Sequence, residues 1–160
     1  MKIGVAAIGR LKRGPESELV SRYADRLTRS GRALGLDWTG VREFAESRNG
    51  SAVSRMNDEA ATLLASLPDN GVVMALDERG PAITSEAFAH LIASKRDEGN
   101  PSLIFAIGGP DGHGETIRER AAELIGFGGM TWPHQIVRIL LLEQLYRATT
   151  ILSGHPYHRS

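Results

Sequence analysis

The chain has no cysteine, and that absence alone removes disulfides, thiolate nucleophiles and cysteine-based zinc sites from the chemistry open to it. A reducing cytosol is the compartment such a composition fits. No apolar run approaches the roughly 18 residues of a membrane span, and the apolar stretch after Met1 is too short, before Arg10 and Lys12, for a secretory leader. These absences predict a cytoplasmic protein with no membrane partner. Repeats, linkers and low-complexity segments are also missing. At 160 residues the chain is expected to form one domain, residues 1–160, with a single core burying roughly two-thirds of the unfolded surface.

Net charge is absent too, 19 Lys and Arg against 19 Asp and Glu, but the average hides a segregation. Residues 1–32 carry eight basic and three acidic side chains, residues 33–129 eight and fifteen, and residues 130–160 three and one. Both ends are basic and the middle is acidic. If the fold brings the ends to one face, that face can bind phosphate despite the neutral total; otherwise Arg22, Arg26, Arg29 and Arg32 are a solvated helix face.

Hydropathy periodicity supplies the fold class. Apolar runs at Lys2–Gly9, Leu36–Phe44, Val72–Leu76 and Ser102–Ile107 read as strands, with a short strand or loop at Ile125–Met130. Between them, helical spacing recurs at Leu19, Tyr23 and Leu27, at Val53, Met56, Ala60 and Leu63, at Phe88, Leu91 and Ile92 with Thr84 or Ser85 as cap, and over Glu115–Leu124. Strand and helix alternate five times, which predicts an α/β fold: a mostly parallel sheet with helices on both faces. Ligands of such sheets gather at the carboxyl ends of the strands. Three glycine-bearing loops fall there: the one after Leu76, Gly108–Gly114, and Gly126–Thr131.

Ile107-Gly-Gly-Pro-Asp-Gly112 has the character of a nucleotide-site turn, but lacks G-x-G-x-x-G spacing and carries a proline and an aspartate that disfavour a pyrophosphate. His134, His155 and His158 have no carboxylate at ligand spacing, so no metal is expected, and no G-x-S-x-G elbow supports a hydrolase.

The C-terminal block is the most informative segment. Pro133 opens a helix in which Ile136, Val137, Ile139–Leu142, Leu145 and Tyr146 cover more than one stripe, so burial on two sides, the second against a partner subunit, is expected. After it come His155, Tyr157, His158 and Arg159, reactive groups where chain ends are normally weakly patterned.

Together, Leu76-Asp-Glu-Arg-Gly80, Phe105-Ala-Ile-Gly-Gly-Pro-Asp-Gly112, the run from Met130-Thr-Trp-Pro-His-Gln135 through Glu143-Gln-Leu-Tyr-Arg-Ala148, and His155-Pro-Tyr-His-Arg159 resemble, in order and spacing, the RlmH family of the SPOUT superfamily, the 23S rRNA pseudouridine N3-methyltransferases. Gly9–Leu19 with Arg22-Tyr23 looks like the same family's opening, so the resemblance covers the whole chain. It implies a C-terminal deep trefoil knot, a homodimer, and methyl transfer from S-adenosyl-L-methionine to N3 of a pseudouridine in 23S rRNA of the assembled ribosome. By motif position it implies cofactor contacts at Leu76, Gly108, Phe127, Gly128, Gly129, Met130, Thr131 and Trp132. Positioning the base and removing the N3 proton are the two chemical tasks, and His155, Tyr157, His158 and Arg159 are expected to form the substrate-side catalytic cluster. Which of them takes the proton stays open, and Arg138 and Arg147 remain divided between structure and RNA. A ribosome-associated binding module without catalysis and a Rossmann-like nucleotide-utilising enzyme are the competing readings.

Overall fold

The computed structural model describes residues 1–158. Five strands, β1 (Lys2–Ile8), β2 (Asp37–Phe44), β3 (Val72–Leu76), β4 (Ser102–Ile107) and β5 (Glu123–Ile125), form one sheet in the order β2-β1-β4-β3-β5. All pairings are parallel, with Ile3 opposite Leu103 and Val73 opposite Ile104. Helices α1 (Pro15–Gly31), α3 (Ser85–Asp97) and α5 (His134–Leu152) form one layer, and α2 (Ala52–Ser66) and α4 (Glu115–Arg120) the other. The α/β architecture with helices on both faces is as the hydropathy pattern predicts.

Alternation along the strands explains the two layers, because successive side chains of a strand point to opposite faces. Ile3, Val5, Ala7, Leu103, Phe105 and Ile107 turn toward α1, α3 and α5; Ala6, Ile8, Ile104 and Ala106 turn toward Ala60, Leu63 and Ile117 of α2 and α4. A strand covered on both faces reads as a continuous apolar run, and β4 is buried at all six positions.

Local signals set the helix ends. Thr84 is the cap of α3, its hydroxyl accepting the Ala87 N–H at 3.1 Å, whereas Ser85 donates to Gln144 on α5 at 2.8 Å. α5 closes on Gly154 at φ 67°, where the Gly154 N–H reaches Ile151 O and the His155 N–H reaches Thr150 O, at 3.1 and 2.9 Å.

Two boundaries differ from the sequence expectation. The helix expected over Glu115–Leu124 ends at Arg120, and the fifth strand is Glu123–Ile125 rather than a segment of Ile125–Met130. The open edge of β3 decides this: the Ala122 N–H donates to Val73 O at 2.8 Å, and Met74–Leu76 pair with Glu123–Ile125. Strand pairing there satisfies more backbone than another helical turn would.

Between β3 and α3 the loop bends over the end of β5. The Asp77 N–H donates to Ile125 O, and the Gly126 N–H donates to Pro81 O, each at 3.0 Å, so Ile125 and Gly126 are gripped by both limbs of the loop. A Cβ on Gly80 would lie 2.6–2.7 Å from backbone atoms of Leu124 and Ile125, and one on Gly126 would lie 2.5 Å from Gly80 O. Only glycine permits so close a crossing. Gly80→Ala is therefore expected to cost about 3 kcal/mol in urea unfolding. Gly99→Ala, at φ 80° with no atom within 4 Å, should cost only the left-handed penalty of about 1–2 kcal/mol. Equal losses would remove steric crowding as the reason.

Candidate active site

A cavity of about 770 Å³ opens at the carboxyl ends of β3, β4 and β5, closed on one side by the first turn of α5. Its wall joins the three loops marked in the sequence. Leu76 ends β3, Gly108 follows β4, and Phe127, Gly128, Met130, Thr131 and Trp132 lie on the loop from β5 to α5; all seven line it. Gly129 lines a smaller adjoining cavity of about 310 Å³ with Glu78 and Arg79. Thus the structure brings together the eight positions implied for the cofactor. The Trp132 indole N–H donates to Phe127 O at 3.3 Å, drawing that loop into a ring whose outer side leaves Met130 73% exposed.

The turn after β4 is tight because its backbone folds on itself. A Cβ on Gly108 would sit 2.8 Å from the carbonyl carbon and oxygen of Gly112, so the backbone of this turn, rather than a side chain, faces the cavity. Glu59 on α2 braces the turn from outside: Ser47 N–H donates to its Oε1 at 2.9 Å, and its Oε2 abuts Gly109. Burial raises the Glu59 carboxyl above its ordinary range.

Two ion pairs stand on the wall. Arg118 Nε donates to Asp77 Oδ2 at 2.8 Å, and Arg55 grips Asp111 through two bonds of 2.6 and 3.0 Å. Burial opposes the Asp77 charge, but the Arg79 N–H and the Arg118 guanidinium outweigh it and hold the carboxyl below its usual range. His113 is 2% exposed; burial lowers its pKa, so it stays neutral and donates from Nε2 to Ala106 O at 3.3 Å. The wall offers backbone groups and balanced charge, without the cationic cradle that a pyrophosphate requires. Asp77, Asp111, Arg118 and His134 were not singled out for this site by sequence reasoning. Asp77, Asp111 and His134 stand inside the quoted motifs, whereas Arg118 carries no local signal.

Residues 1–158 match the model of a family described as predicted SPOUT methyltransferase. The chain belongs to the SPOUT methyltransferase family. It is 55% identical over 159 residues, 99% of both chains, to the ribosomal RNA large subunit methyltransferase H of Rhizobium johnstonii. Proteins of the same name from Allorhizobium ampelinum and Mesorhizobium japonicum are 52% and 50% identical over 160 residues, covering each chain completely.

In this SPOUT methyltransferase the described tail residues His155, Tyr157 and His158 do not line the cavity. Tyr157 donates from its hydroxyl to Glu143 at 3.1 Å and packs on Tyr146 with ring centroids 4.8 Å apart, and the Arg147 guanidinium lies over its ring. His158 Nε2 is 2.6 Å from Glu86, and His155 Nδ1 accepts the Tyr157 N–H at 3.1 Å. Burial first, with Glu143 adding, pushes the Tyr157 hydroxyl up to about 12, so it is a hydrogen-bond donor at neutral pH. Glu143–Arg147 lie nine to thirteen residues beyond His134, about 14–20 Å along the α5 axis. Arg159 lies outside the described residues. Among the described residues no group of three His, Asp or Glu side chains is placed to hold a metal, and no helix is long and apolar enough to cross a membrane.

Arg138 is assigned to structure rather than RNA. It is fully buried, pairs with Glu43 on β2, and donates to Gly9 O at 2.9 Å. The charge segregation has a spatial counterpart as well: α1 packs on α5, with Ser30 Oγ 2.6 Å from Thr149 Oγ1 and Arg26 over the Tyr146 ring, so the two basic ends share one layer. Arg22, Arg26, Arg29 and Arg32 are exposed there.

Proposed function

We propose that the cavity holds S-adenosyl-L-methionine and that this methyltransferase, like its named relatives an enzyme of large-subunit ribosomal RNA, methylates N3 of a pseudouridine in 23S rRNA of the assembled ribosome. The observation that carries the reading is the meeting of Leu76, Gly108 and Phe127–Trp132 around one cavity of ligand size. When bound, the cofactor supplies a methyl carbon activated by a sulfonium. The residues present fit it: apolar Leu76, Phe127 and Trp132 can cover an adenine, the Gly108 turn offers backbone groups, and the Asp77–Arg118 and Asp111–Arg55 pairs leave no concentrated positive charge there to repel a cationic centre. Burial of Leu76 and Ile125 under the loop keeps water from the back of the site.

The crossing of Leu124–Gly126 with Gly80 supports a trefoil knot, in which the segment leading to α5 is threaded through the loop after β3. A homodimer is supported by α5. Leu141, Leu142, Leu145 and Ala148 fill the core, while Ile136, Ile139 and Leu140 are half-buried and join neither core cluster. A two-fold contact through that stripe, with its axis perpendicular to α5, would run the two α5 helices antiparallel and set one subunit's Glu143–Arg147 segment and tail beside its partner's His134 end. His155, Tyr157, His158 and Arg159 then act as the substrate-side cluster of the partner's site. Arg10, Lys12, Arg13 and Arg22 are exposed and available to RNA phosphates.

Labelled S-adenosylmethionine incubated with ribosomes containing or lacking the pseudouridine tests this. Label is expected only in the pseudouridine-containing particles. Cofactor binding without label transfer would favour an inert ribosome-binding module, and calorimetric binding of NAD or ATP alone would favour a Rossmann-like enzyme.

A further inference from the structure

The tail explains how a base could be held, but not well how its proton leaves. Tyr157 keeps its own proton, His155 Nδ1 accepts a backbone N–H, and His158 lies between Glu86 and Arg147 at 2.6 and 3.5 Å. Of the five histidines, His90 is on the exposed side of α3 and His113 is sealed beneath the sheet ends. His134 alone among the described histidines lines the cavity.

His134 is the first residue of α5, and its side chain is 19% exposed. Nε2 stands 3.5 Å from Glu46 Oε1, just beyond β2, and is confined on another side by Gly9, whose Cβ would come within 2.7 Å of it. Gly9 takes φ 85°, and Arg138, one helical turn on, ties its carbonyl to α5, so the wall behind the imidazole is fixed. Nδ1 has no hydrogen-bond partner among the described residues and is not sealed from solvent. At 3.5 Å, Glu46 and Nε2 are in contact without a hydrogen bond; a carboxylate can only accept, so once Glu46 closes on Nε2 it favours the tautomer with the proton there and leaves the Nδ1 lone pair free.

Resting on the reading above, we propose that His134, oriented by Glu46, is the proton acceptor for the target base. The proton on N3 passes to Nδ1. The electron pair left on N3 would form the new bond to the methyl carbon as the carbon–sulfur bond breaks, the electrons of that broken bond staying on sulfur, which becomes neutral. Glu46 balances the imidazolium, which afterwards returns its proton to water. In this arrangement the catalytic base belongs to the subunit that holds the cofactor, and the tail residues hold the RNA base. Glu46, 46% exposed, is a positioning residue.

The test uses the full-length protein and pseudouridine-containing ribosomes. For His134→Ala, single-turnover methylation should fall about 100-fold or more, while calorimetric affinity for S-adenosylmethionine stays within about threefold, and added imidazole should recover part of the rate. Glu46→Gln should slow the reaction about tenfold, and the double variant should be no slower than His134→Ala, because the carboxylate acts only through the imidazole. Ring-¹⁵N NMR should find His134 of the wild-type protein protonated at Nε2, with that preference lost in Glu46→Gln. A His134→Ala rate within threefold of wild type, additive losses in the double variant, or an Nδ1–H tautomer would overturn the proposal. Wild-type protein that binds no S-adenosylmethionine, or labels ribosomes lacking the pseudouridine equally, would instead overturn the functional reading.

Discussion

Arg138→Ala is expected to lose about 3 kcal/mol of stability, the low end of the range for removing one partner of a buried ion pair, because the Glu43 left behind is 30% exposed. The guanidinium is fully buried, and burial pulls its pKa down while Glu43 opposes the shift. Its removal strands Gly9 O and opens a void beneath the first turns of α5. The Leu11 N–H also depends on this node, through Glu43 Oε1 at 3.1 Å. Four segments therefore lose a common anchor: the ends of β1 and β2, the loop after β1, and α5. For a chain of this length the melting temperature should drop by roughly 10 °C. Arg138→Lys keeps the charge but cannot span Glu43 and the Gly9 carbonyl in one planar fork, so it should recover only part of the loss. Urea midpoints of the three proteins decide the matter. A loss below about 1 kcal/mol for Arg138→Ala, together with weakened ribosome binding, would return Arg138 to an RNA-contacting role.

What could be read from the sequence follows from the range over which each signal acts. β4 was legible because a strand covered on both faces must be apolar throughout, and the cap of α3 because Thr84 bonds to an amide three residues away. β5 was misplaced because its reason lies outside it: the free edge of β3 captures Glu123–Ile125 and ends α4 early. The same distance problem hid the Arg138–Glu43 pair, whose members stand 95 residues apart. The three loops of the cavity could be collected from the rule that parallel sheets bind at their carboxyl ends. Arg118 could not, since its pairing with Asp77 is made only when α4 packs beside β3. Nor could periodicity place the tail, because hydropathy tells which side of a helix is covered and not which copy of the chain covers it.

That distinction leads to a second large effect. A chain ending at Gly154 keeps the Gly154–Ile151 bond at the end of α5 but lacks His155–Ser160, and it should retain cofactor binding while losing methyl transfer by at least about 1,000-fold, the loss of the whole cluster proposed for the substrate side. A cavity variant such as Gly108→Val should fail for the opposite reason, since its side chain would collide with the Gly112 carbonyl and spoil the cofactor turn. Neither protein should be active alone. If the tail serves its partner's cavity, exchanging subunits between them restores function, because a heterodimer holds one intact cavity faced by one intact tail. With equal amounts and random exchange, half the dimers are mixed and each has one working site of two, so activity should return to about a quarter of wild type. A tail that worked on its own subunit would give no recovery at any ratio, because every tail-bearing subunit in the mixture then has a ruined cavity. Titrating the truncated chain into a fixed amount of the cavity variant sharpens the test: the rate should rise with the heterodimer population measured by native mass spectrometry and fall back when exchange is blocked by crosslinking the parent dimers. The distance of about 14–20 Å between the tail's contacts and the cavity end of α5 makes the first outcome the expected one.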